Sequence, residues 1–207
     1  MRGILIAVCG LDGAGKSTQI NLLENWFNDN NLVCETTRQP TKYYREDERV
    51  RNYLDNGVCP DMKSIALLAA ADRRWHLETY IEPKIAKNIN IISDRYLYSS
   101  LAYFKVRGLD ENFIRMINGE IRKPDVIIFL DLKAEETVQR VKIRDNNNLK
   151  YEERNIEIFK EVRKTFHDIL PEDTIIIDAT QSQERVHSII LDNVIKKIKE
   201  VKDVENV

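Results

Sequence analysis

The sequence predicts an α/β fold, with five parallel strands forming one sheet and helices covering both of its faces. Three observations predict it. The unbroken apolar run 4–8 and the largely apolar stretch 126–132 fit strands buried on both faces better than half-exposed antiparallel ones. Stretches with helical spacing separate these runs, and strands alternating with helices imply a doubly wound sheet. The first run closes in a glycine-rich loop that opens directly onto a helix.

Taken in order, Ile4, Leu5, Ile6, Ala7 and Val8 form the first strand, which ends at Gly10-Leu11-Asp12-Gly13-Ala14-Gly15-Lys16-Ser17-Thr18. Ile20, Leu22, Leu23, Trp26 and Phe27 then recur at helical spacing over 15–30, and the Asn-rich turn from Asn28 to Asn31 stops the helix. Residues 32–37 read as a second strand, and Pro40 marks a loop after it. A long helical pattern covers 61–87, with Pro83 kinking or restarting it. Residues 89–93, 126–132 and 174–177 supply three further strands. The segment 140–154 breaks the pattern at Arg144-Asp145-Asn146-Asn147-Asn148 and reads as a mobile flap, centred on about 142–154. The tail 196–207 alternates charged and apolar residues as a fraying terminal helix does.

A length of 207 residues suits one large α/β domain spanning 1–207, and no repeat, low-complexity tract or linker suggests a second. A formal charge of −2 provides no global basic field, so no nucleic-acid partner is expected. The apolar stretch 3–9 is too short for a signal peptide or a membrane span, which points to a cytoplasmic protein without a membrane partner. Cys9, Cys34 and Cys59 lack metal-site spacing and read as reduced thiols. His76, His167 and His187 are scattered, without a Ser or Cys partner in a recognisable arrangement, and receive no catalytic role.

The loop carries the strongest chemistry. Its successive backbone N–H groups and the following helix N-terminus converge on one concavity suited to phosphate; Lys16 can reach the outer phosphates and Ser17 can hold Mg2+. The fold is thereby read as a three-layer P-loop NTPase fold with a nucleotide as ligand, Gly10 to Thr18 forming its cradle. Asp94-Arg95 stands at a strand's carboxyl end, where open α/β sheets bind ligands: Arg95 could grip an acceptor phosphate while Asp94 orders Mg2+. Asp131 ends a competing apolar strand, and composition alone does not separate the two acids; Asp94 is preferred because Arg95 accompanies it. Arg73 is a candidate second phosphate clamp, and Arg140, Lys142, Arg144, Lys150 and Arg154 could close over a transferring phosphoryl group.

Together these motifs resemble the thymidylate kinase family, which makes dTDP from dTMP and ATP. Thr37-Arg38-Gln39-Pro40-Thr41, Ala71-Asp72-Arg73, Asp94-Arg95-Tyr96 with Ser99-Ser100-Leu101-Ala102-Tyr103, Lys123-Pro124-Asp125 and Asp178-Ala179-Thr180 are similar to family motifs in the family's order. The resemblance implies that Asp12 approaches the acceptor sugar, that Arg38, Arg73 and Arg95 serve the acceptor's phosphate side, that Ser100 and Tyr103 serve its base and ribose, and that Pro40 also belongs to the acceptor site. It also implies Arg140 near ATP, a homodimer, and Arg144 as the cation of the transition state, since Gly13 and Ala14 leave the loop without one.

Several positions depart from the family pattern. Cys9 stands for its glutamate, Gln39 and Thr41 alter its Arg-Glu-Pro-Gly run, Ala69 replaces the phenylalanine that stacks on thymine, and Phe104 replaces a glutamine. Leu149-Lys150-Tyr151-Glu152 occupies the place of Leu-Asp-Arg-x-Glu in the flap. Phe104, Tyr98 and Tyr43 are candidates to restore the lost stacking. Other readings stay open: a kinase for another (deoxy)nucleoside monophosphate or a nucleoside, an ATPase or nucleotide switch, or a binding module without transfer.

Overall fold

The computed structural model describes residues 2–204. Five parallel strands, β1 (Leu5–Gly10), β2 (Cys34–Arg38), β3 (Asn90–Asp94), β4 (Val126–Asp131) and β5 (Ile175–Asp178), form one sheet in the order β2-β3-β1-β4-β5. The helices are α1 (Lys16–Asp29), α2 (Lys42–Glu46), α3 (Glu48–Asn56), α4 (Met62–His76), α5 (Glu82–Ala86), α6 (Leu97–Val106), α7 (Glu111–Asn118), α8 (Ala134–Arg144), α9 (Ile156–Ile169) and α10 (Gln183–Val204).

The unbroken apolar runs are explained by burial on both faces. Ile6 and Val8 of β1, with Ile128 and Leu130 of β4, pack under α1 and α10; the alternate residues Cys9, Ile127 and Phe129 pack under α4, α6 and α9. Leu5, Ala7 and Ile91 form a third cluster with Leu77, Ile81 and Ile85. At the sheet edges, β2 and β5 are only partly buried, and Ile176 of β5 is exposed. Each fully buried aliphatic side chain contributes about 1.5–3 kcal/mol, so the central strands dominate the core.

Three expected boundaries change. The helical stretch 61–87 divides into α4, a π-helical turn over Leu77–Ile81, and α5. Pro83 is the cause in physical terms: it has no N–H for the carbonyl one turn back, and its ring crowds that carbonyl. The flap's first residues, including Lys142 and Arg144, belong to the last turn of α8. The non-helical crossing is 145–151, opened by Asn146 and Asn147 in left-handed conformations that Asn tolerates, and followed by a 3-10 turn at Glu152–Arg154. The terminal helix runs on through Val204 as α10, and the last part of the tail, 205–207, lies outside the described residues. Among the described residues, no helix is long and apolar enough to cross a membrane.

Candidate active site

The carboxyl ends of β1, β2 and β3 bring the predicted residues to one side of the sheet. Gly15 caps α1 with φ of 92°, a left-handed conformation that a side chain would strain, and so turns the loop into the helix axis. The first amides of α1 lack intrahelical partners and carry the positive end of the helix dipole. Lys16 is buried and folds back over the loop, donating from Nζ to the Gly10 carbonyl at 3.1 Å and the Leu11 carbonyl at 2.7 Å. Burial, then the nearby Arg95 charge, pushes its pKa down to about 8. Ser17 and Thr18 stay exposed at the loop's outer side.

Arg95 ties this loop to a cleft beside it. Its Nη2 donates to Asp12 Oδ1 at 2.8 Å, and its guanidinium lies over the Tyr103 ring at 5.2 Å. Its backbone has φ of 71°, uncommon for a side chain with a Cβ and costing roughly 1–3 kcal/mol, and the Ser93 hydroxyl holds it by donating to the Arg95 carbonyl at 2.7 Å. Such strain persists where surrounding contacts dictate it, and here they aim one guanidinium at the loop acid. Burial alone would raise the Asp12 pKa, but the Arg95 and Lys16 charges outweigh it and hold the carboxyl well below its usual range.

The register of β2 on β3 places Arg38 opposite Asp94, and Arg38 Nε meets Asp94 Oδ2 at 3.1 Å. The other oxygen, Asp94 Oδ1, is buried without a hydrogen-bond partner among the described residues. Asp72 fixes the loop after β2 by accepting from the Thr41 amide at 2.8 Å and the Thr41 hydroxyl at 2.5 Å. In that loop the Pro40 carbonyl accepts from Arg45 Nε at 2.9 Å. Burial, then the neighbouring Arg38, lowers the Arg45 pKa to about 10.

The cleft has a volume of about 140 Å3 and opens to solvent; among the predicted residues, Asp12, Arg38, Pro40, Arg95, Ser100, Tyr103 and Lys150 line it. Tyr44, Leu54, Phe104 and Phe159 form its apolar walls. Five cations (Arg38, Arg45, Arg95, Arg107 and Lys150) stand against three carboxylates (Asp12, Glu152 and Glu153), so the cleft is locally positive in a chain of net charge −2. The Tyr103 hydroxyl is buried without a hydrogen-bond partner among the described residues, and burial pushes its pKa up to about 12. An anion with an apolar ring matches this lining.

Not every predicted residue joins it. Arg73 is 1% exposed and lies behind Ser100 rather than on the cleft wall. Its Nη2 donates to Ser100 Oγ at 2.6 Å, its Nε to Gln39 Oε1 at 3.1 Å, and its Nη1 to Asn118 Oδ1. A guanidinium with that many internal acceptors is held as a buried strut behind the cleft wall, apart from Arg38 and Arg95, which line it. Of the proposed stacking aromatics, Phe104 lines the cleft, whereas Tyr98 sits in the core and Tyr43 is exposed. Ala69 is itself fully packed in the core.

On the flap side, α8 approaches the loop so closely that a Cβ on Gly13 would stand 3.1 Å from the Thr137 carbonyl and 3.2 Å from Val141 Cγ2. Arg140 reaches the Ala179 carbonyl at 3.4 Å, joining α8 to the turn after β5. Arg144 is half exposed and pairs with its neighbour Asp145 at 2.7 and 2.6 Å. It edges an open polar bay shared with Asp12, Arg38 and Lys150. The competing acid Asp131 is saturated: Arg163 donates to both its oxygens, at 2.6 and 2.7 Å, and His167 lies 3.2 Å away. His76 bonds Thr37 and Gln39 and so supports Arg73.

Sequence reasoning missed Arg45, Tyr44, Phe159 and the pair Arg107–Glu152. One signal was available, since Tyr103 and Arg107 stand four residues apart and so share a helix face.

Comparison with known proteins identifies the family. The family model described as Thymidylate kinase matches residues 8–190. A probable thymidylate kinase of Pyrococcus horikoshii is 36% identical over 198 residues, covering 92% of this chain and 95% of the relative. A probable thymidylate kinase of Methanococcus aeolicus is 37% identical over 163 residues, covering 79% and 77%. The thymidylate kinase of Francisella tularensis subsp. tularensis is 34% identical over 201 residues, covering 90% and 92%. With the match running from the end of β1 into α10, across the loop, the cleft and the flap, the chain belongs to the thymidylate kinase family.

Proposed function

We propose that this protein is a thymidylate kinase that transfers the γ-phosphoryl of ATP to dTMP, giving dTDP and ADP, and so supplies dTTP synthesis. The observation that carries this reading is the Arg95–Asp12 bridge, which joins a phosphate-binding loop to a positively charged cleft with apolar walls. Transfer between two anions needs positioning and charge neutralisation more than covalent chemistry. Lys16 and the loop amides from Gly10 to Thr18 hold the ATP phosphates, and Arg140 stands beside the turn after β5 on the nucleotide side. Arg95 and Arg38 orient the acceptor phosphate, Asp12 faces the acceptor sugar, Pro40 and Tyr103 shape the ribose end, and Ser100, backed by Arg73, meets the base. Arg144 supplies the cation for the transferring group once it leaves Asp145.

The donor set suits Mg2+. Asp94 Oδ1 is a buried carboxylate oxygen with no partner among the described residues, and Ser17 is exposed at the start of α1. These two residues would hold the ion, and the ion would neutralise phosphate charge. The whole of 1–207 is read as one kinase domain. Its three free cysteines fit a cytoplasmic enzyme. The homodimer rests on family resemblance and on the exposed Leu67 and Trp75 of α4.

Purified protein with ATP, Mg2+ and a panel of nucleoside monophosphates, read by ADP release and dTDP formation, tests the assignment. dTMP is expected to be the best acceptor. Arg95→Ala should lower turnover by about 10^3-fold with an unchanged circular dichroism spectrum. A near-normal rate in that variant would remove Arg95 from its role. A second reading, transfer to another deoxynucleoside monophosphate, is favoured by Phe104 in the cleft wall and by Ala69 in place of a stacking ring; the same panel decides between them.

A further inference from the structure

Arg107 and Glu152 form a buried ion pair that the proposed reaction does not use. Arg107 Nε donates to Glu152 Oε1 at 2.8 Å and Nη2 to Oε2 at 2.7 Å, and the Tyr53 hydroxyl donates to Oε1 at 2.8 Å. The side chains are only 9% and 13% exposed. Three rings surround the guanidinium, with centroids 4.9 Å (Tyr53), 5.1 Å (Phe104) and 5.5 Å (Tyr103) away. Burial would raise the Glu152 pKa, but the Arg107 charge outweighs it and keeps the carboxyl ionised below its usual range.

The pair links three elements. Arg107 caps the end of α6, the helix that presents Ser99, Ser100, Tyr103 and Phe104 to the cleft. Tyr53 belongs to α3, and Glu152 opens the 3-10 turn of the flap. Beside Glu152, the Tyr151 amide donates to the Leu54 carbonyl at 3.1 Å, and the Tyr151 ring packs so tightly on Gly57 that a Cβ there would come within 2.4 Å of it. Next in sequence, Glu153 accepts the Lys150 amide at 2.7 Å through Oε2, while its Oε1 is buried without a partner among the described residues. Lys150 and Glu153 both line the acceptor cleft.

A buried ion pair is a weak source of net stability, but its two parallel hydrogen bonds fix position and direction. We infer that Arg107 is a positioning residue: by gripping Glu152 it holds the flap so that Lys150 and Glu153 face the nucleoside monophosphate, coupling acceptor binding on α6 to flap closure. The inference deepens the proposed kinase reading and rests on acceptor binding in this cleft.

The test uses the full chain and the variants Glu152→Gln, Arg107→Met and their double. Calorimetry should show dTMP binding weakened about tenfold in each single variant, with ATP affinity within about twofold and the double no worse than the worse single. Hydrogen exchange of the amides in 145–155, measured without nucleotide, should quicken about tenfold while the strands keep their protection. Unchanged dTMP affinity together with unchanged flap exchange overturns the inference. So does equal weakening of ATP and dTMP with a lowered Tm, which marks a general packing defect. If Arg107→Met does not fold, Tyr53→Phe removes a single hydroxyl from the latch and should show the same pattern at smaller size. If the wild type binds no dTMP, the kinase reading fails, and the nucleotide-free exchange still decides whether Arg107 holds the flap.

Discussion

Asp94 and Asp131 end two buried strands on either side of β1, and sequence alone gave little reason to tell them apart. The difference between them lies in what neighbouring elements deliver. Beside Asp94, the parallel register of β2 delivers Arg38 to one oxygen at 3.1 Å and leaves the other buried without a partner among the described residues. Beside Asp131, α9 delivers Arg163 and His167, four residues apart on one helix face, and both oxygens are occupied. A strand-end carboxylate thus becomes ligand-ready when its hydrogen-bonding capacity is left incomplete. It becomes a structural strut when a helix completes it.

The largest expected effect separates the two by substitution. Asp94→Asn keeps shape and one oxygen but removes the charge, and dTDP formation should fall by about 10^2–10^3-fold in kcat/KM. If Asp94 holds Mg2+ as proposed, raising Mg2+ should recover part of the loss. Steady-state rates across a Mg2+ series measure this, and a variant within about threefold of wild type at all concentrations would put Asp94 with Asp131 among the struts.

Much of this contrast was out of reach of sequence for physical reasons. The strands and the loop were legible because continuous apolar runs are bounded by Gly, Asp and Pro, whose backbone preferences act locally. Helices α2 and α3, which wall the cleft with Tyr44 and Leu54, lie in a polar stretch whose burial is decided by tertiary contact. Arg73 was placed on the right helix, yet its direction depends on Gln39, Ser100 and Asn118, all distant in sequence. The Arg107–Glu152 pair spans a separation of 45 residues, so the spacing that puts Arg107 on one face with Tyr103 does not announce its partner.

A smaller effect comes from the titration of Lys16. Its pKa is pushed down to about 8 by burial and then by Arg95, while Asp12 and Asp94 pull it back up. The ammonium is therefore charged below about pH 8 and neutral above, so kcat/KM for ATP, which reports the free enzyme, should decline by up to about tenfold per pH unit beyond that point. Removing the Asp94 charge removes one of the groups that raise this pKa, so in Asp94→Asn the decline should begin at lower pH. In Asp131→Asn it should stay in place. A pH series of ATP kcat/KM for the three proteins measures this, and a wild-type plateau extending well past about pH 9 would refute the role of Lys16 protonation.

The smallest expected effect belongs to Asp131→Asn and completes the contrast. The substitution leaves Arg163 without its bidentate acceptor but touches nothing in the cleft, so kcat and both KM values should remain within about twofold of wild type. Arg163 is partly exposed and regains water in compensation, which limits the loss to about 1 kcal/mol and the fall in Tm to roughly 2–4 °C. Thermal unfolding beside steady-state kinetics checks both halves. A fall in kcat approaching that of Asp94→Asn, with Tm unchanged, would mean that the saturated carboxylate opens during turnover, and that completed hydrogen bonding does not distinguish strut from ligand.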